Sequence, residues 1–81
     1  MISMISLDKL PLGSRGYIVQ IREKNTKEIN KMAAFGFFPG VEVEMIQTFP
    51  SYVLKVGFTQ VALDDTVVRA IWVQPKGKDL A

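Results

Sequence analysis

Apolar residues along this chain follow two rhythms, and the switch between them marks the elements. Tyr17-Ile18-Val19-Gln20-Ile21 is rich in β-formers and reads as a first strand, entered through a Gly13-Ser14-Arg15-Gly16 turn. Arg22 to Lys27 is polar and reads as a connecting loop. Within it Asn25 has the chemistry of a helix N-cap, and Glu28 stands three positions on, as in a capping box. The helix that opens there carries Ile29, Met32 and Ala33 at helical spacing, with Lys27 and Lys31 on the wet side. At about two turns it is too short to stand alone and must be held by packing.

Met32-Ala33-Ala34-Phe35-Gly36-Phe37-Phe38-Pro39-Gly40-Val41-Glu42-Val43 carries the most structural information. Gly36 can adopt the left-handed conformation that stops a helix without a Cβ clash. Pro39 presets a turn, and Gly40 supplies the positive φ of a type II corner. Val41, Val43 and Met45 then alternate with Glu42 and Glu44, the period of a half-buried strand running to Phe49. Pro50-Ser51 makes a corner, after which Tyr52, Leu54 and Val56 alternate with Val53, Lys55 and Gly57. Phe58-Thr59-Gln60 is expected to turn the chain, and Val61 and Leu63 give the next inward pair. Asp64-Asp65-Thr66 can cap a single turn before a last strand, Ile71-Trp72-Val73-Gln74, which Pro75 ends.

Leu7, Leu10 and Leu12 form an apolar lead-in in which Pro11 opposes a long helix. The expectation is therefore a mainly β domain: a closed or nearly closed five-stranded barrel with one short helix after the first strand. It occupies residues 1–81, with a core over about 7–75 and a polar tail at 76–81. Phe35, Phe49 and Phe58 are expected in that core.

Composition narrows the chemistry. A chain of 81 residues buries roughly 60% of its unfolded surface, and without cysteine no disulfide adds to that. Histidine is absent as well as cysteine, so imidazole and thiolate metal ligands are both missing, as is the favoured general base at neutral pH. The net charge of +2 is slight and the basic residues are scattered from Lys9 to Lys78, so no positive stripe suggests a nucleic acid. The longest uncharged run, around Met32 to Val41, is far short of the ~20 residues of a membrane helix. The opening Met1 to Leu7 lacks the basic start and cleavage site of a signal peptide, so the expected location is the cytoplasm, with no membrane insertion.

Candidate sites meet plain structural readings. Gly13-Ser14-Arg15-Gly16 has the spacing of a backbone-clamping loop, but such a loop joins two helices and this one precedes a strand. It is also too short for a Walker loop. Glu42 and Glu44 share a strand face at about 7 Å, yet two carboxylates without a third ligand hold a hard cation weakly at best. Asp64 and Asp65 fit a helix cap better than a cation site. No catalytic, cofactor or metal residue is assigned.

The order Leu10, Gly13, Gly16 and Ile18, then Phe35-Gly36-Phe37-Phe38-Pro39-Gly40, Val41, Val43, Pro50, Val61-Ala62-Leu63, Ile71 and Val73 resembles the ferrous iron transport protein A (FeoA) family. The resemblance runs from about Leu7 to Val73, and its structural signature is Gly36, Pro39 and Gly40. It implies a Src-homology-3-type barrel in the cytoplasm, serving as a non-catalytic accessory protein of the membrane GTPase that imports ferrous iron. The same module forms the C-terminal domain of iron-dependent repressors, so a regulatory or peptide-binding barrel is the alternative. Family members carry an arginine after the Leu63 position and an acidic-alanine pair shortly beyond; this chain has Asp64 and Val67-Val68 there.

An interaction protein needs an exposed surface, and the aromatic residues supply the candidates. Phe37 and Phe38 are adjacent on a turn, so at most one can face the core. Trp72 lies between inward Ile71 and Val73, which points it outward. With Tyr17, these form the expected contact surface for the GTPase domain or for a second copy of the chain. A groove joining Tyr17, Tyr52 and Trp72, suited to a proline-rich peptide, is a lesser candidate.

Overall fold

A computed structural model of the protein describes residues 3–76. In chain order it contains β1 (Ile5–Ser6), a 3-10 turn at Leu7–Lys9, β2 (Arg15–Ile21) and α1 (Thr26–Ala34). There follow β3 (Glu42–Gln47), β4 (Tyr52–Val56), β5 (Thr59–Leu63), α2 (Asp65–Ala70) and β6 (Ile71–Pro75). All strands join one antiparallel sheet in the order β1-β6-β2-β3-β4-β5.

The mainly β class and the short helix after the first long strand are as expected; closure of the barrel is not. The sheet has six strands and two ends, because β1 is a two-residue strand on one side and β5 pairs only with β4 on the other. Ile5-Ser6 is too short to carry a readable alternation, which is why the lead-in gave no sign of a strand. The polar tail expected at 76–81 begins differently too. Lys76 donates its amide to the Arg15 carbonyl, prolonging the β6 pairing, and the residues beyond it lie outside those described.

Period-two alternation places Ile18, Val43, Met45, Leu54, Val61, Ile71 and Val73 inside. Leu7 and Leu10 close one side, where α2 brings Val68 against the 3-10 turn. Ile18 pairs with Val73, while Gln20 and not Val19 pairs with Trp72, so Val19 is a bulge. The extra residue resets the strand's phase. Ile21, three positions after Ile18, consequently faces inward, which strict alternation would have forbidden.

The end of α1 is built from hydrogen bonds. Phe37 donates its amide to the Met32 carbonyl and Gly36 to that of Ala33, both at 2.9 Å, with Gly36 at φ 92°. This is a Schellman cap, and its accompanying apolar contact is the buried pair Met32 and Phe37. Burying the Phe37 ring contributes about 1.5–3 kcal/mol. At the other end the Asn25 side chain accepts from the amides of Lys27 and Glu28. The reciprocal half of the expected capping box falls to a different residue, because Glu23 takes the Asn25 amide.

Candidate functional site

Phe37 and Phe38 part at the Schellman cap. Phe37 is 1% exposed and belongs to the core, so it is removed from the expected contact surface; Phe38 is 49% exposed. The corner that presents Phe38 is tightly specified. Pro39 and Gly40 occupy the middle of a turn closed by the Val41 amide on the Phe38 carbonyl at 3.2 Å, with Gly40 at φ 96°. Gly40 then donates to the Ile18 carbonyl at 2.7 Å, and Ile18 to the Val41 carbonyl at 2.8 Å. These bonds fasten the corner to the middle of β2.

On the outer face of β2, either side of Ile18, stand Tyr17 and Val19, each 39% exposed. Val19 faces out because it follows inward Ile18; the bulge then keeps Gln20 outward as well and turns Ile21 in, a phase shift without any sign in the residue pattern. One strand over, Trp72 opposes Gln20 on the same outer face, half-buried, with the Arg22 guanidinium 4.4 Å from its ring centroid. Tyr17, Trp72 and the Phe38 corner thus surround β2. Tyr52 does not join them: it packs against the core from the inner face, so no groove links Tyr17, Tyr52 and Trp72.

Neighbouring this apolar area is a charged ladder across the sheet. Arg15 pairs in register with Glu44, and Glu44 with Lys55. The Arg15 guanidinium lies 3.5 Å from Glu44, and the Lys76 ammonium donates to Glu42 at 3.1 Å. Hydrogen bonding to Glu42 holds the Lys76 pKa above its usual value. Arg15, Glu42, Glu44 and Lys55 line an open groove of about 350 Å³, two cations facing two carboxylates. The two glutamates proposed as a weak cation site therefore face cations already in place. Among the described residues, no three carboxylates are grouped as metal ligands.

Sequence reasoning missed several exposed aromatics. Phe35, Phe49 and Phe58, expected in the core, are 47%, 84% and 105% exposed. For Phe58 the cause is the hairpin: Val56 pairs with Thr59, so the turn is Gly57-Phe58, one step earlier than expected, with Phe58 at its tip. Gly57 at φ 61° takes the first position of that two-residue turn. For Phe35 the cause is the helix, which buries only Met32 and leaves Ile29 and Ala33 exposed. Phe35 borders a second groove of about 260 Å³ between α1 and β5, floored by Met32, Phe37, Val61 and Leu63.

Asp64, the departure in charge, is the N-cap of α2. Its carboxylate accepts from the Thr66 hydroxyl at 2.8 Å and from the Val67 amide at 3.0 Å, which holds its pKa below the usual carboxylate value. An arginine has no acceptor oxygen and could not make these bonds. Val68, at the altered pair, fills the core.

A small antiparallel sheet with one helix inserted after its first long strand, carrying exposed aromatics on its surface, defines a module with the Src-homology-3-like fold. The FeoA domain matches residues 5–75, and the chain belongs to that family. No curated protein sequence matches it significantly. Among solved structures, an iron uptake regulatory protein (FeoA) is 17% identical with a TM-score of 0.82, covering 93% of this chain and all of its own. The FeoA of Stenotrophomonas maltophilia, a Src-homology-3 domain protein solved with zinc, is 22% identical with a TM-score of 0.76, covering 86% of this chain and 89% of its own. A manganese-dependent transcriptional repressor is 16% identical with a TM-score of 0.84 over 94% of this chain, which spans 44% of the repressor. At these identities the likenesses establish the fold.

Proposed function

We propose that the protein is a non-catalytic accessory module of a ferrous iron uptake system, acting in the cytoplasm by docking on the GTPase portion of the membrane transporter. Family membership supports the iron-transport role. The S. maltophilia relative is itself put forward as a ferrous iron transport activating factor. The observation that carries the docking reading is the apolar face around β2: Tyr17 and Val19 on the strand, Phe38 on a corner bonded to it, and Trp72 one strand over. Exposed aromatics grouped on a rigid sheet are the usual anchors of a protein interface. Among the described residues no helix is long and apolar enough to cross a membrane.

A second reading, a regulatory barrel, draws on the likeness to the manganese-dependent repressor. The two readings separate in one experiment. Titrating the purified chain against the isolated GTPase domain tests docking directly. Titrating it against the DNA-binding fragment of a metal-dependent repressor tests the alternative.

A further inference from the structure

β5 has a bare outer edge. Gly57 and Phe58 form a two-residue loop between Val56 and Thr59, so those two residues exchange both main-chain bonds. Bonding then alternates along the ladder. Val61 and Leu63 direct their amides and carbonyls at β4, whereas Gln60 and Ala62 direct theirs away from it. Among the described residues, no backbone group outside the β4 ladder bonds to β5.

Natural sheets block such edges with lysine, proline, inward charges or bulges. Thr59-Gln60-Val61-Ala62-Leu63 has no charge and no proline, and its register with β4 runs without a bulge. The other end of the sheet is protected by brevity, since β1 is two residues long. The edge of β5 also borders an apolar groove, in which Phe35 stays 47% exposed beside Val61 and Leu63.

We propose that β5 pairs antiparallel with β5 of a second copy, across a two-fold axis at Val61. This register sets Gln60 opposite Ala62 of the other copy, twice over, so the residues with outward main-chain groups meet each other. It brings no like charges together: the strand is neutral, and the flanking Asp64 falls opposite Phe58 rather than opposite another aspartate. Val61 and Leu63 of each copy extend the floor of the other's groove, and Phe35 lies beside the seam. An isologous contact of this kind closes on itself, giving a dimer rather than a filament. The face around β2 stays free, because β3 and β4 separate it from β5.

The chain has no cysteine, so Val61→Cys places one thiol per copy at the axis. A non-hydrogen-bonded antiparallel pair holds its Cα atoms about 4.5 Å apart, within disulfide reach. Ala62→Pro removes an amide that points away from β4 and leaves the β4 ladder untouched. The proposal expects sedimentation velocity to show wild-type dimers forming with concentration. Ala62→Pro should weaken dimerisation by at least about tenfold, and Val61→Cys should cross-link under mild oxidation while Thr48→Cys does not. In the wild type, amide exchange at Gln60 and Ala62 should slow as concentration rises, a readout that needs no variant to fold. A chain that stays monomeric throughout the series overturns the proposal. So does a dimer in which these two amides exchange at the same rate as in the monomer, which would place an extended segment of another protein, or a different surface, in its stead.

Discussion

Gly36 lies so close to Val56 that a Cβ on the glycine would come within 3.2 Å of Val56 Cγ1. The same glycine holds φ 92°, where a side chain is strained whatever the space around it. Two independent effects therefore oppose substitution. Gly36→Val is expected to destabilise the fold by about 2–3 kcal/mol, combining left-handed strain with displacement of Val56. Chemical denaturation should show a lower midpoint with an unchanged slope. A stability within experimental error of wild type would mean that the Schellman cap does not hold the helix end.

Asp64 gives the molecule a small pH dependence of defined sign. Its folded-state pKa is lowered by the Thr66 hydroxyl and the Val67 amide, so its contribution is present above the ordinary carboxylate pKa. That contribution is lost as pH falls through this range toward the folded value. Asp64→Asn keeps an acceptor for the Val67 amide but does not titrate, so α2 should persist with a flatter acid limb. Thermal midpoints from neutral pH to below the carboxylate range check this. Identical acid limbs for the two proteins would show that the cap does not titrate with folding.

Iron chemistry provides a third expectation. Glu42 and Glu44 already face Lys76 and Arg15, and the chain has neither histidine nor cysteine to complete a ligand set. Anaerobic calorimetry with ferrous iron should therefore find no stoichiometric site tighter than about micromolar. A tighter site removed by Glu42→Gln would show that the ion pairs open to admit the metal.

Apart from the Gly57-Phe58 hairpin, which was expected one step later, the backbone turns were legible because glycine and proline declare them. Gly36, Pro39 and Gly40 stop a helix, turn the chain and launch a strand where their conformational limits require. The helix cap at Asn25 and the acidic cap at Asp64 were legible for a similar reason, since a side-chain oxygen at those positions has an obvious amide to meet. Burial of aromatics was less legible. Adjacency alone showed that Phe37 and Phe38 must divide, and alternation showed that Trp72 turns outward. Ring size, however, says nothing about whether a turn reaches the core, and Phe49 and Phe58 sit on turns that do not.

Long-range geometry left the weakest trace. The bulge at Val19 exists because Ile18 and Ile21 must both face inward, a demand set by β6 and not by neighbours in sequence. The bonds from the Phe38 corner to Ile18 likewise join segments about twenty residues apart. Tyr17, Phe38 and Trp72 could therefore be named from the sequence, while the part of Val19 and the grouping around β2 could not.

The proposed docking through the face around β2 is tested most directly by the affinity of the purified chain for the isolated GTPase domain of a ferrous iron transporter, compared with that of Phe38→Ser. Phe38 is the better probe because it is exposed, whereas Trp72 is half-buried under Arg22 and its replacement would also lower stability. The wild type should bind, and Phe38→Ser should weaken binding by at least about tenfold while its thermal midpoint stays within a few degrees of wild type. Equal affinity for both proteins, or no binding by either, would contradict the account.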